Sequence, residues 1–529
     1  MTRPSCFPTP VRKVVAALVA LILALPNPAP AQVPPGVARA TPATAAFPTL
    51  GDGSDMGSAN ERRLGDRIAR EIYRDPDYID DPVLAEYVQE IWQSLLVAAR
   101  SRGDLSAELD ERFAWQVMLG RDHSINAFAL PGGYLGVHLG LIAAVSNSDE
   151  LASVLAHELS HVTQRHISRL ISKQNQQTPW LLAAMILGAL AGSKSADAGN
   201  ALIVGGQAIA AQGQLNFSRD MEREADRVGL AVLSQAGFDA QGFVTMFDKL
   251  QQASRLNDNG AYPYLRSHPL TTERIADMQS RQMLLVRSAP QRALTPEHAM
   301  LAARARVLSN QGVDALRART QEARGAQLPG EAAAQAGVFY AAALAASQLR
   351  DFAAARAQLT RLSALVRADV RASRLVDLLA AEVALAAADA PAAAAHSPTE
   401  TAALRRPELL LQTQAALQTA ARASAGSLAG LSAVAQRLQI WLLAHPHDAL
   451  AWQLLSSVYA AQHQTLRAIR ADAETQVARL DYVAALERFK AAQELARRGG
   501  GNADHIEASI IDTRRREVEL LAKEQTLER

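Results

Sequence analysis

The sequence predicts a mainly α-helical chain. A helical domain holding a small β-sheet or hairpin comes first, and an α-helical, repeat-like solenoid follows. Three observations point there. Aromatic residues make up 5% of the 529 residues while 49% are hydrophobic, so the cores draw largely on Ala, Leu and Val, which suits close-packed helices better than sheets. Only residues 113–142 combine strand-like alternation with turn chemistry. Beyond about residue 295 the chain turns Ala-rich, with helix-turn-helix spacing. At roughly 100–200 residues per domain, the length calls for two to four domains.

Charge and cysteine content narrow the function. Lys+Arg 54 against Asp+Glu 53 leaves a formal charge of +1, which gives nucleic acid no electrostatic footing. Cys6 is the single cysteine, so an internal disulfide framework and a cysteine-ligated zinc site are both excluded. Arg3, Arg12 and Lys13 precede an apolar run from Val14 to Leu25, then Pro26, Pro28 and Ala29-Pro30-Ala31. This is the pattern of a secretory signal peptide over residues 1–31, cleaved after Ala31, and the run is shorter than the roughly 20 residues of a spanning helix. Cleavage would remove Cys6, and a bacterial periplasm suits such a thiol-free product.

Residues 32–58, rich in Pro, Ala, Gly, Ser and Thr, read as a linker. Residues 59–295 read as the first folded domain. A helix spans Ala59 to Tyr73, and another opens at Pro82 with Val83, Leu84, Tyr87, Val88, Ile91 and Leu95 on one face. Phe113–Leu119 and Ala127–Leu130 read as strands, and Pro131-Gly132-Gly133 turns the second back into Tyr134–His138. A long helix is expected over Asp149–Leu170, opened by Ser146-Asn147-Ser148 with Glu150 as capping partner. The apolar stretches Trp180–Gly192 and Ala201–Ala211 have the length of buried or interfacial helices and read as a cover over the catalytic helices, with peripheral membrane contact at most. Helices follow over Ser218–Ala236, Gln241–Leu256 and from near Thr271.

Residues 296–529 read as the helical array. Trp452, Leu455, Tyr459 and Ala468 sit at tetratricopeptide-repeat (TPR) spacings, as do Tyr482, Ala485 and Phe489. Phe339, Phe352, Ala355 and Leu359 make a weaker third set. The registers do not form one uninterrupted array, so the repeats are degenerate.

His157-Glu158-Leu159-Ser160-His161 lies inside the long predicted helix. Residues four apart on an α-helix differ by about 40°, so both imidazoles leave one face and can share a tetrahedral Zn²⁺. Glu158 lies about 100° round, within reach of a water but not itself a ligand, where it can act as general base. Leu151, Val154, Leu155, Leu159 and Val162 make the helix apolar on most sides, and buried histidines and a glutamate need partners that a metal supplies. The expected fold is a zincin-type metalloprotease domain with one Zn²⁺ per chain. Ile167 and Gln164 stand where a metzincin carries its third His and its Gly, which excludes that class. His166 is roughly 140° round from His161 and is expected to face away from the metal in a structural role.

A catalytic zinc takes three protein ligands. The better third candidate lies on the next acidic helix, where Glu222 and Asp226 are four apart and share a face while Glu224 points elsewhere. Such a cluster alone reads as a solvated face. After the histidine helix it would let Glu222 bind the metal, with Asp226 either hydrogen-bonded to a ligand or handling protons.

Asn126-Ala-Phe-Ala-Leu-Pro131-Gly-Gly-Tyr-Leu-Gly-Val, then His157–His161, then Glu222-Arg-Glu-Ala-Asp226 resembles the M48 metallopeptidases over roughly residues 55–290. A leader before and repeats after are similar to the periplasmic, repeat-bearing branch of that family. The resemblance implies zinc ligands His157, His161 and Glu222, a catalytic Glu158, and a supporting or proton-donating Asp226. It implies that Ala127, Phe128, Ala129 and Leu130 form an edge strand pairing with extended substrate. His268, in Arg266-Ser267-His268-Pro269, matches a loop histidine that can take the fourth zinc position; read without the family, it sits in a simple turn. Misfolded or unfolded polypeptide as substrate and the outer-membrane β-barrel assembly machinery as partner follow from the same resemblance. A chaperone-like scaffold with a latent zinc site is the competing reading. The membrane-embedded branch would need spanning helices that the sequence after the leader does not offer.

Overall fold

The structure is a computed structural model that describes residues 56–173, 218–255, 263–285, 294–325, 328–396, 405–422, 428–498 and 505–527. The expected leader, most of the expected linker and the apolar stretches within 180–211 lie outside the described residues.

Helix α1 (Ser58–Arg74) buries Leu64, Ile68 and Ala69 with Met118, Leu130 and Tyr134 of the sheet region. After the short β1 (Tyr78–Ile79), α2 (Pro82–Arg102) starts where the Asp81 side chain accepts from the Leu84 N–H at 2.9 Å and Pro82 fills a position whose N–H has no helical partner. It ends on Gly103 at φ +80°. A short α3 (Ala107–Arg112) leads to β2 (Gln116–Gly120). The strand expected from Phe113 begins only at Gln116, because Trp115 takes φ +50° and turns the chain while both aromatic rings enter the core.

β3 (Ala127–Leu130) and β4 (Tyr134–His138) form the expected antiparallel hairpin. Gly132 and Gly133 between them adopt φ +74° and +81°, and a Cβ on Gly132 would lie 2.8 Å from the Arg62 Cα. The sheet order is β1-β2-β4-β3, with β2 and β4 parallel, so β3 is an edge strand. The neighbouring His138 N–H to Asn126 C=O bond sets the alternation, and it turns the main-chain groups of Ala127 and Ala129 away from β4.

α4 (Leu139–Ala144) is followed by α5 (Ser148–Thr163). Asn147 Oδ1 accepts from the Glu150 N–H, and Glu150 Oε2 accepts from the Ser146 N–H at 2.7 Å. The helix does not run on to Leu170. It stops at Gln164, Arg165 adopts φ +53°, and a new helix α6 (His166–Lys173) begins. α7 (Arg219–Gln235), α8 (Gln241–Arg255), α9 (Tyr264–Ser267) and α10 (Thr272–Leu285) complete this region.

The rest is helical: α11 (Pro296–Ser309), α12 (Val313–Glu322), α13 (Ala332–Gln348), α14 (Phe352–Val366), α15 (Val370–Ala386), α16 (Ala390–Ala395), α17 (Arg406–Arg422), α18 (Leu428–Ala444), α19 (Ala449–Ala461), α20 (Thr465–Ala478), α21 (Tyr482–Arg498) and α22 (His505–Leu527). Leu455, Tyr459 and Ala468 share one buried cluster, and Ala485 and Phe489 share another. The principal core is continuous across residue 295: Trp92, Leu155, Met300, Phe339 and Val383 belong to one cluster. Among the described residues, no helix is long and apolar enough to cross a membrane.

Three arginines tie the two halves at the start of α2. Arg304 pairs with Asp81 at 2.6 Å and Glu382 at 2.8 Å. Arg374 bridges Glu86 and Glu408, each at 2.6 Å, and Arg406 bridges Asp80 at 2.7 Å and Asp448 at 2.8 Å. Each guanidinium thus joins a carboxylate in residues 80–86 to one on or capping a later helix.

His298 crosses the same junction. Its Nδ1 lies 2.8 Å from the Tyr87 hydroxyl and its Nε2 lies 3.0 Å from Val145 O. Burial lowers its pKa, so the unfolded chain takes up a proton near pH 6.5 that the folded chain refuses until the pH is lower. Stability associated with His298 is therefore lost as pH falls through that window. His298→Gln is expected to show a smaller drop in thermal midpoint than the parent between about pH 7 and pH 5; equal drops would refute the assignment.

Candidate metal centre

α5 is buried along its length, and His157, Glu158 and His161 are at most 1% exposed. α7 lies against it because Gly229 has no side chain: a Cβ there would sit 3.1 Å from Ala156 O and His157 N. This close approach brings Glu222 and Asp226, also buried, to the histidine face.

His157 Nε2 and His161 Nε2 face each other at 3.0 Å. Glu222 Oε1 lies 3.4 Å from His161 Nε2, and Glu222 Oε2 lies 3.5 Å from His157 Nε2. His268, 2% exposed, puts Nδ1 at 3.3 Å from His157 Nε2 and 3.0 Å from Glu222 Oε1. The donor atoms of these four residues all lie within 4.8 Å of one another. Donors of a tetrahedral zinc at about 2.0–2.1 Å would be ~3.3 Å apart, so the donor set fits that ion. Three imidazole nitrogens and a carboxylate converging on one buried space also call for a cation between them.

Glu158 stands beside this set and not in it. Its Oε2 accepts from the Ala129 N–H at 2.9 Å, and its Oε1 lies 3.4 Å from His268 Nε2. The candidate base and the edge strand β3 are therefore joined by a hydrogen bond. Asp226 Oδ1 lies 3.0 Å behind His157 at Nδ1. Of the two roles expected for Asp226, this geometry matches the group hydrogen-bonded to a ligand.

The electrostatics follow from the packing. Burial works against a charged His157, but Asp226 and Glu222 outweigh it and push its pKa up to about 9. Burial and the neighbouring His157 hold His161 well below its ordinary value. Burial would raise Glu222, yet the His268 and His157 imidazoles draw it well below the usual carboxylate range. Asp226 is likewise lowered against burial by Arg274 and His157.

Sequence reasoning missed Arg274. Its guanidinium meets Asp226 at 2.6 Å and 2.7 Å and Glu222 Oε2 at 2.7 Å, and it donates to Pro269 O at 2.9 Å. It therefore fixes both carboxylates and the loop that delivers His268. Tyr264 stacks on His268 with centroids 4.6 Å apart. Arg274 has no local spacing signal because its carboxylate partners lie far back in sequence, whereas Tyr264 sits one helical turn before His268.

The expectation that His166 faces away is corrected. The break at Arg165 turns His166 back, so that its Nδ1 lies 2.9 Å from His161 Nδ1 and its Nε2 lies 3.1 Å from Glu224 Oε2. An uninterrupted helix would have carried the ring to the other side. Glu224, expected to point elsewhere, does stay outside the donor set.

Residues 83–282 match the profile of Peptidase family M48. A Vibrio cholerae protein assigned by name as a beta-barrel assembly-enhancing protease is 35% identical over 311 residues, covering 59% of this chain and 61% of its own length. The beta-barrel assembly-enhancing protease of Escherichia coli K12 is 33% identical over 229 residues, 43% of this chain and 45% of the relative. The mitochondrial metalloendopeptidase OMA1 of Saccharomyces cerevisiae is 28% identical over 196 residues, 36% of this chain and 54% of the relative. The matches thus span about half of these relatives' lengths. The buried donor set lies within the matched span, so the residues that could hold a metal fall in the part of the chain that is similar to peptidase family M48.

Proposed function

We propose that the chain is a zinc-dependent endopeptidase of the bacterial periplasm that hydrolyses misfolded or stalled outer-membrane β-barrel proteins. Its protease domain is residues 59–295, and a TPR-like domain over 296–529 recruits clients or the assembly machinery. The observation that carries the reading is the convergence of His157, His161 and Glu222, with Glu158 beside them and bonded to an edge strand. The relatives' names and the expected leader support the envelope location.

His157, His161 and Glu222 hold the ion, and the chemistry zinc supplies when bound is polarisation of the peptide carbonyl and acidification of water. The outward main-chain groups of Ala127 and the Ala129 C=O pair with an extended substrate, while the Ala129 N–H stays on Glu158, so the substrate backbone lies alongside that carboxylate. Glu158 Oε1, the oxygen not committed to Ala129, takes the proton of the attacking water and passes it to the leaving amide nitrogen. Asp226 orients His157, and Arg274 keeps Asp226 ionised.

His268 stands where water and the substrate carbonyl must come, so it has to withdraw before cleavage. This contact is what favours the second reading, a chaperone-like scaffold with a latent, self-inhibited site. The test is cleavage of a denatured β-barrel protein by the full chain. Chelation should abolish it, one equivalent of zinc should restore it, and His268→Ala should raise it. Cleavage that survives complete zinc removal would sink the metalloenzyme. No cleavage by His268→Ala, with assembly still assisted, would favour the scaffold.

A further inference from the structure

We propose that Glu224 and His166 form an orienting branch for His161: Glu224 holds His166, and His166 holds the ring of His161 so that Nε2 faces the metal position. The proposal rests on the zinc reading of the site and assigns positioning roles to two residues outside the donor set.

The argument starts from proton placement. For His161 Nε2 to offer its lone pair to a metal, its proton must sit on Nδ1. That Nδ1 lies 2.9 Å from His166 Nδ1, which must then accept. The His166 proton therefore sits on Nε2 and is donated to Glu224 Oε2, 3.1 Å away. The chain of donors runs one way and ends on a carboxylate, so each of the two hydrogen bonds carries one proton. Arg169 Nη1 donates to the same Glu224 oxygen at 3.0 Å and keeps it in place.

The backbone supplies a second, independent observation. A left-handed non-glycine residue is an unfavourable way to end a helix, where glycine is the usual choice. Arg165 takes φ +53° nonetheless, and the outcome is that the fully buried His166 ring returns to His161. His157 has its own support in Asp226, so His157 and His161 each have a separate backing group.

The test uses the metal-free full chain, with zinc affinity measured by competition with a chromophoric chelator. The visible spectrum of the Co²⁺-loaded protein and thermal unfolding without metal are read alongside. The parent is expected to bind one zinc, and Glu222→Gln to lose tight binding. Glu224→Gln should weaken zinc binding by about 10-fold and His166→Gln by about 10–100-fold. In both, the Co²⁺ spectrum should change while metal-free unfolding stays at the parent's temperature. Glu224 is partly exposed, so that variant folds even if His166→Gln does not. Parent-like affinity and spectrum in Glu224→Gln overturn the proposal, as does a loss of affinity that only tracks a loss of metal-free stability. A parent chain that binds no zinc overturns the metal reading instead.

Discussion

Glu158→Gln is expected to lower the turnover of a denatured polypeptide by about 10²–10⁴-fold, the range over which a positioned general base acts. Zinc content should stay at the parent level, because Glu158 lies outside the donor set and the amide is nearly isosteric. The Gln carbonyl oxygen can still accept from the Ala129 N–H, so the link to β3 should survive. What disappears is the oxygen that takes a proton. Turnover and metal analysis on the same preparation decide the matter. Undiminished turnover would remove Glu158 from the mechanism, and loss of zinc would place it among the ligands.

Arg304→Met is expected to destabilise the protein by about 3–5 kcal/mol, the range for removing one partner of a buried ion pair. Arg304 is 4% exposed, and its two carboxylates sit in different halves of the chain. Without it Asp81, itself buried, keeps its duty of capping α2 but loses its counter-charge. Burial already raises the Glu382 carboxyl against the pull of Arg304, so removing the guanidinium favours its protonation or exposure. Arg405→Ala is the control. That side chain is exposed where it pairs with Glu86, and its loss should cost about 0–1 kcal/mol. Unfolding midpoints in denaturant separate the two variants, and equal midpoints would mean that the buried bridge does not hold the junction.

Part of the site is legible in the sequence because helical geometry is local. His157 and His161, and likewise Glu222 and Asp226, need only a period of 3.6 to fall on shared faces. The β3–β4 hairpin is announced by Pro131-Gly132-Gly133, whose backbone conformation has few alternatives. The break at Arg165 is not announced, since neither Gln164 nor Arg165 is a helix breaker. Arg165 instead turns under the tertiary pull of the buried Glu61, which it meets at 3.0 Å. Arg274 is invisible for a related reason: its partners lie 48 and 52 positions back in sequence, and no spacing rule reaches that far. The seam between the halves has the same origin. Composition changes near residue 295, whereas packing does not.

The edge strand has a consequence for selectivity. β3 turns the main-chain groups of Ala127 and Ala129 away from β4, and every polypeptide has the same main chain. A peptidase that reads those groups cannot tell a damaged client from a healthy one by residue type. It can discriminate only by whether a stretch is free to extend. Folded proteins would be protected by their own hydrogen bonds, and unfolded chains would not. On the proposed reading, a site so indifferent to sequence is safest when its resting state is shut, and His268, buried against the donor set, is the residue that would shut it.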